Sequence, residues 1–196
     1  EATVTVTVTG VNDTPTAAAV AVNATEDGAT VDGSFAGDDV DSDDDVNSLI
    51  YAITSAPSEG SVINNGDGSF TFDPGTDFQD LADGETRDVT FNYTATDSHG
   101  ATSAEATVTV TVTGVNDTPT AAADSQTIND TPATDAGTPV AGTSSVLAND
   151  SDPDNGETAT LKVSAIRVGL AGADSTVLAG GVGATVIGLY GALHIL

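Results

Sequence analysis

The segment EATVTVTVTGVNDTPTAAA at residues 1–19 recurs letter for letter at residues 105–123, which are 104 positions further on. That period is too long for a solenoid and suits one β-sandwich per unit. Within the copies, Val4, Val6 and Val8, and again Val108, Val110 and Val112, alternate with Thr. This is the two-residue period of a strand with one buried face, strengthened by β-branched residues on both faces. Gly10 and Gly114 then interrupt the ladder, and Pro15 and Pro119 stiffen the exit, so Gly-Val-Asn-Asp-Thr-Pro reads as a linker between domains. The expected organisation is a terminal strand of a preceding repeat at 1–11, one repeat at 12–115 and a second at 116–196. Because Glu1 falls inside a strand pattern, the sequence reads as part of a longer chain.

Between the two linkers, strand signals fall at Ala19–Val22, Ser48–Thr54, Ser61–Ile63, Ser69–Phe72, Asp88–Thr96 and Ala104–Thr113, the spacing of an all-β Greek-key sandwich. Asn65-Gly66 and Asp67-Gly68 mark a tight hairpin. Tyr51, Phe70, Phe72, Phe91 and Tyr93 are the expected core aromatics, with Phe78 and Leu81 plugging one end through a single helical turn. No long helical period appears. The second unit departs from the first after Ala123 and reaches Leu196 in mid-hairpin, so it reads as an incomplete sandwich whose last residues, Leu189–Leu196, are expected to be poorly held.

Charge narrows the function. Thirty acidic residues face three basic ones, Arg87, Lys162 and Arg167, for a net charge of −27. A chain without a basic patch cannot release counterions from phosphates, so nucleic acid is excluded, and an anionic membrane surface is disfavoured. Self-repulsion on this scale asks for a cation or for a highly solvated acidic surface. There is no Cys, hence no disulfide or thiolate site. Residues 177–196 lack formal charge over a membrane-spanning length, but Gly180, Gly181, Gly183, Gly188 and Gly191 break them into short strands and turns, with Ala-Thr-Val-Ile at 184–187 as one strand.

Position favours the cation. Both units carry D-x-D-x-D, at Asp39/Asp41/Asp43 and Asp150/Asp152/Asp154. Carboxylates at alternate positions can converge on one Ca²⁺, which takes six to eight oxygens, and Asn12-Asp13 and Asn116-Asp117 can add linker oxygens. Neither loop is an EF-hand, lacking its Gly and its terminal Glu. A lone acidic turn is ordinarily just solvated; two in register beside duplicated linkers are not so easily dismissed. Catalysis has no support: the acids crowd into turns, His99 follows Asp97-Ser98 without a nucleophile motif, His194 has no chemical context, and Gly-Gly-Val-Gly at 180–183 does not open a helix. No enzyme is expected.

Taken in order, these motifs resemble bacterial cadherin-like domains, including the VCBS repeats of large RTX-type adhesins exported by type I secretion. The resemblance implies interdomain calcium. It assigns the entrance Glu to Glu26 in Thr-Glu-Asp-Gly, the A-x-D-x-D loop to Asp39 and Asp41, the acidic pair to Asp83 and Glu85 around Gly84, the turn Asp to Asp97, and the linker to Val115-Asn116-Asp117-Thr118-Pro119. By that resemblance, Asn12, Asp13, Asp39, Asp41 and Asp97 gather at the entrance of the first repeat, while Glu26, Asp83, Glu85, Asn116 and Asp117 meet Asp150 and Asp152 at the next joint. The implied function is a calcium-rigidified, monomeric spacer outside the cell or on the bacterial surface, serving adhesion and biofilm formation, with neighbouring repeats as its partners. A glycan- or protein-binding module and an accessory spacer of a secreted enzyme are the alternatives.

Overall fold

Alternating valines in a Thr-rich strand need neighbours on both edges, and the computed structural model shows how residues 106–113 obtain them. The structure describes residues 1–124 and 146–163 and, by backbone alone, the strands at 165–167, 177–179, 185–188 and 191–194. It divides into two units, Glu1–Asn116 and Asp117–Leu196.

In the first unit the strands are β1 (Thr16–Ala17), β2 (Val20–Thr25), β3 (Val31–Ser34), β4 (Gly37–Asp38), β5 (Ile50–Ser55), β6 (Ser61–Asn64), β7 (Ser69–Asp73), β8 (Thr86–Thr96) and β9 (Ala106–Thr113). One sheet has the order β2-β9-β8-β5 and the other β3-β7-β6, with β1 and β4 forming a separate short pair. β9 runs antiparallel to β8 and parallel to β2. The chain crosses between the sheets after β2, returns between β3 and β5 by way of β4, and crosses again after β5 and after β7, which gives the expected sandwich. The β6–β7 hairpin turns at the predicted Asn-Gly and Asp-Gly steps, where Gly66 and Gly68 adopt positive φ.

The core lies between the sheets. Phe70 and Phe72 of β7 and Val89, Phe91 and Tyr93 of β8 are buried with Val108, Val110 and Val112 of β9. Phe70 meets Phe91 edge-on with ring centroids 5.2 Å apart, and Gly33 leaves room for the Phe70 ring, whose Cζ lies only 2.2 Å from where a Cβ would stand. Each buried valine stabilises by about 1.5–3 kcal/mol relative to an exposed one. Phe78 and Leu81 are buried as expected, and Leu81 N–H donates to the Phe78 carbonyl in the predicted single turn.

Residues 1–11, expected as the terminal strand of a preceding repeat, belong to neither sheet of the first unit. They form no strand, and Val4, Val6 and Val8 are 84, 78 and 88% exposed. Among the described residues no strand pairs with them, whereas their second copy in β9 has β8 on one edge and β2 on the other.

In the second unit a short 3-10 turn at Thr158–Thr160 precedes two antiparallel pairs, β10 (Ala165–Arg167) with β11 (Val177–Ala179) and β12 (Thr185–Gly188) with β13 (Gly191–His194). β12 covers most of the strand expected at 184–187. The expected sandwich of this unit lies largely outside the described residues, as do Leu189, Ile195 and Leu196. No helix among the described residues is long and apolar enough to cross a membrane.

Candidate metal centre

The first linker is pinned to the sandwich by acidic loops. Pro15 is buried and hands the chain to β1, which pairs with β4 at Thr16 and Asp38. Tyr93, deep in the core, reaches up from β8 with its hydroxyl 2.5 Å from the Ala18 carbonyl and 2.8 Å from that of Ala36, and it accepts the Ala36 N–H. This fixes the β1–β4 pair and hence the loop that follows it. In that loop Asp41 Oδ2 accepts the Asp13 N–H at 2.7 Å, and Asp39 Oδ1 accepts the Asp41 N–H at 2.9 Å. Asp97, in the turn after β8, is only 3% exposed; its Oδ2 accepts the Asn12 amide at 2.9 Å and its Oδ1 accepts the backbone N–H groups of His99 and Ala101. The Asn12 amide holds the Asp97 carboxyl below its ordinary range against the opposing effect of burial, helped by the Ala101 and His99 N–H groups. The five entrance residues predicted from sequence are thus brought together through the linker.

This set suits a hard cation. All its donors are oxygens apart from the Asn12 amide nitrogen, whose own carbonyl is an oxygen donor. Asp39 Oδ2 is shielded from solvent and has no hydrogen-bond partner among the described residues. A carboxylate oxygen removed from water without compensation is costly, and a bound cation offsets that cost.

At the opposite end, Glu26 is 1% exposed; its Oε1 accepts the Val115 N–H and its backbone N–H bonds the Thr113 carbonyl. Gly114 N–H donates to the Glu85 carbonyl and Gly84 N–H to that of Gly114, while Glu85 Oε2 accepts the Ala82 N–H. Glu26 and Glu85 therefore both clasp the strand leading to Asn116. Asp83 is exposed and makes no hydrogen bond among the described residues, so it stands apart from them. The loop is anchored instead by Asp80, which takes a forked pair of bonds from Arg87 while Glu59 takes another.

In the second unit the register of the acidic loop is not the one the motif alignment suggests. Thr120 pairs with Ser151 as Thr16 pairs with Asp38. Counting onward from those pairs, Asp152 takes the place of Asp39 and Asp154 that of Asp41. The hydrogen bonds agree: Asp154 Oδ2 accepts the Asp117 N–H at 3.1 Å, Asp152 Oδ1 accepts the Asp154 N–H at 3.1 Å, and Glu157 N–H bonds the Asp154 carbonyl at 3.2 Å, as Asp44 N–H bonds that of Asp41 at 3.2 Å. Asp150, assigned to the ion by the resemblance, accepts the Ala122 N–H at 2.8 Å.

Among the described residues, two groupings place three possible ligand atoms within 4.8 Å of one another: Asp43, Asp44 and His99, and Asp152, Asp154 and Glu157. Asp154 lies in the D-x-D-x-D run read from sequence, whereas Asp44 and Glu157 were not singled out as ligands. Asp44 is occupied, since Ser48 Oγ, Ser98 N–H and Ser98 Oγ all donate to it. His99 Nε2 and Nδ1 lie 3.7 Å from Asp43 and Asp44.

No curated protein matches the chain. A family profile, the bacterial cadherin-like domain, matches residues 12–114, running from the first linker to the last residue before the second. That span takes in the whole seven-stranded sandwich and every acidic loop of the first unit, more than half of the sequence. The chain belongs to the bacterial cadherin-like domain family.

Proposed function

We propose that this chain is a calcium-rigidified spacer of a large secreted or cell-surface bacterial adhesin, acting as a monomer beside neighbouring repeats and carrying no catalytic site. One observation carries the reading: the linker residues Asn12 and Asp13 are already bonded to Asp97 and Asp41, beside an Asp39 oxygen that is out of solvent and has no donor among the described residues. Calcium bound there supplies positive charge that neutralises the converging carboxylates and ties the linker to the sandwich. Asp39, Asp41 and Asp97 would hold the ion, with Asn12 and Asp13 contributing oxygens from the linker. Asp39 and Asp41 come from the loop after β4 and Asp97 from the turn after β8, so the link joins parts of the fold that are distant in sequence. A stiffened linker keeps successive repeats extended, and reach from the cell serves adhesion and biofilm formation. The type I secreted, VCBS-containing setting belongs to this proposal as well.

A calcium titration tests it. An ion at a hundredfold its dissociation constant stabilises by about 2.7 kcal/mol, so saturating calcium should raise the melting temperature of the first unit by roughly 10 °C or more. Chelator should reverse the gain, and small-angle scattering should show the particle lengthening with calcium. Identical melting and scattering curves with calcium and with chelator would leave the acidic loops as solvated surface and end the spacer reading.

A further inference from the structure

We propose that Asn65, at the apex of the β6–β7 hairpin, is a site of spontaneous deamidation, and that Asn64 sets its rate by holding the attacking nitrogen away from it. Neither part depends on calcium.

Two asparagines of the chain precede a glycine, Asn65 and Asn155. Glycine matters there because it has no Cβ to keep its backbone nitrogen away from the preceding side chain. In the reaction the Gly66 nitrogen gives up its proton and bonds to the carbonyl carbon of the Asn65 side chain. The bond from that carbon to Nδ2 breaks, and Nδ2 leaves with the proton as ammonia. Water then opens the five-membered imide at either of its carbonyls, leaving aspartate or isoaspartate, and it is the only co-reactant. Asn155 stands in sequence among Asp152, Asp154 and Glu157, whose charge opposes the nitrogen anion through which the reaction passes. Asn65 and Gly66 are exposed, and a Cβ on Gly66 would meet nothing within 4 Å, so the apex is open to solvent.

The folded hairpin holds the reacting atoms apart. Gly66 N–H donates to Asn64 Oδ1 at 2.9 Å, so the nucleophile keeps its proton and faces the wrong side chain. Asn64 is itself fixed from β5, because its Nδ2 donates to the Tyr51 carbonyl at 2.7 Å. Asn65 is held as well: its Nδ2 donates to Ser69 Oγ at 2.9 Å and to Thr71 Oγ1 at 3.2 Å, and its backbone N–H to the Ser69 carbonyl at 3.1 Å. Ring closure therefore waits on local opening of the apex, with Asn64 as a positioning residue. Conversion removes the Nδ2 donor, places a new carboxylate two residues from Asp67 and, in isoaspartate, lengthens the backbone by a methylene. The modified hairpin thus loses its hold on Ser69 and Thr71.

Incubating the full chain near neutral pH, with peptide mass mapping that separates Asn65 from Asn155, decides the matter. The Asn65 peptide should gain the mass of amide-to-acid conversion and yield isoaspartate, more slowly in the folded chain than in urea. Asn64→Ala should speed the folded-state reaction about threefold or more, because opening no longer has to break the Asn64 bonds. Asn64→Asp keeps the acceptor for Gly66 N–H and should restore most of the delay. Gly66→Ala, measured in urea where the folded φ of Gly66 plays no part, should slow the reaction about tenfold by obstructing the attack. Equal folded-state rates in the unaltered chain and Asn64→Ala overturn the role of Asn64. A gain in rate that Asn64→Asp shares in full marks general loosening and overturns that role too. An Asn65 peptide that gains no mass even in urea overturns the site itself.

Discussion

Val4, Val6 and Val8 and their twins Val108, Val110 and Val112 sit in identical sequence, yet the first three are 78–88% exposed and the second three are fully buried. The difference lies in what flanks them. β9 has β8 on one edge and β2 on the other, and its valines share the core with Phe91 and Tyr93 of the same sheet and Phe70 of the other. Residues 4–8 have none of these. Alternation of Val and Thr thus states a capacity to form a half-buried strand, and the neighbouring strands decide whether that capacity is used.

The sharpest way to break the comparison is to place one charge in each copy. Val110→Asp puts a carboxylate between the sheets with no partner, and should cost more than about 4 kcal/mol, unfolding the first unit. Val6→Asp should change stability by less than about 0.5 kcal/mol. Urea melts of the two variants read the contrast; equal losses would mean that residues 4–8 are packed in a way that the structure does not contain.

The glycines that end the two copies give a smaller contrast. A Cβ on Gly114 would stand 2.4 Å from the Ala82 carbonyl oxygen and 2.6 Å from that of Leu81, both backbone atoms that cannot swing aside, while a Cβ on Gly10 meets nothing within 4 Å. Gly114→Ala should therefore cost about 1–3 kcal/mol through forced backbone shifts, and Gly10→Ala should be close to neutral. Thermal denaturation of the pair measures it. Next in size come the prolines: Pro15 is buried and Pro119 exposed, so Pro15→Ala should cost about 1 kcal/mol and Pro119→Ala less than half of that.

How far such contrasts could be read in advance depends on the kind of pattern. Six strands of the first unit, the hairpin at Asn65–Gly68 and the aromatic core were legible because period-two alternation and turn chemistry are local, whereas the short β1, β3 and β4 carry too few apolar residues to announce themselves. The entrance set of Asn12, Asp13, Asp39, Asp41 and Asp97 was legible through an ordered series of motifs. The register of the second acidic loop was not. D-x-D-x-D looks the same after a slip of two residues, so sequence could not choose between Asp150/Asp152 and Asp152/Asp154, and only the pairing of Thr120 with Ser151 separates them. Asp44 and Glu157 fall outside that period and carry no signal of their own. The crowding at Gly114 was hidden too, because it comes from Leu81 and Ala82, more than thirty residues away in sequence.

The smallest contrast concerns the linker asparagines and is read by pH in chelator. Asn12 is the first cause holding the Asp97 carboxyl below its ordinary range. A carboxyl depressed in the folded state contributes stability that is complete above its unfolded value, about 3.9, and is lost as pH falls through the lower folded value. The stability difference between the unaltered chain and Asn12→Ala should therefore be full at neutral pH and shrink on acidification below about pH 4. The Asp97 carboxyl carbon, followed by NMR, should titrate at higher pH in Asn12→Ala than in the unaltered chain. Asn116→Ala, the same change in the second copy, should leave the Asp97 titration where it was. An Asp97 curve indifferent to Asn12 would show that the turn's own N–H groups from His99 and Ala101 set its charge, and that the linker is not pinned there.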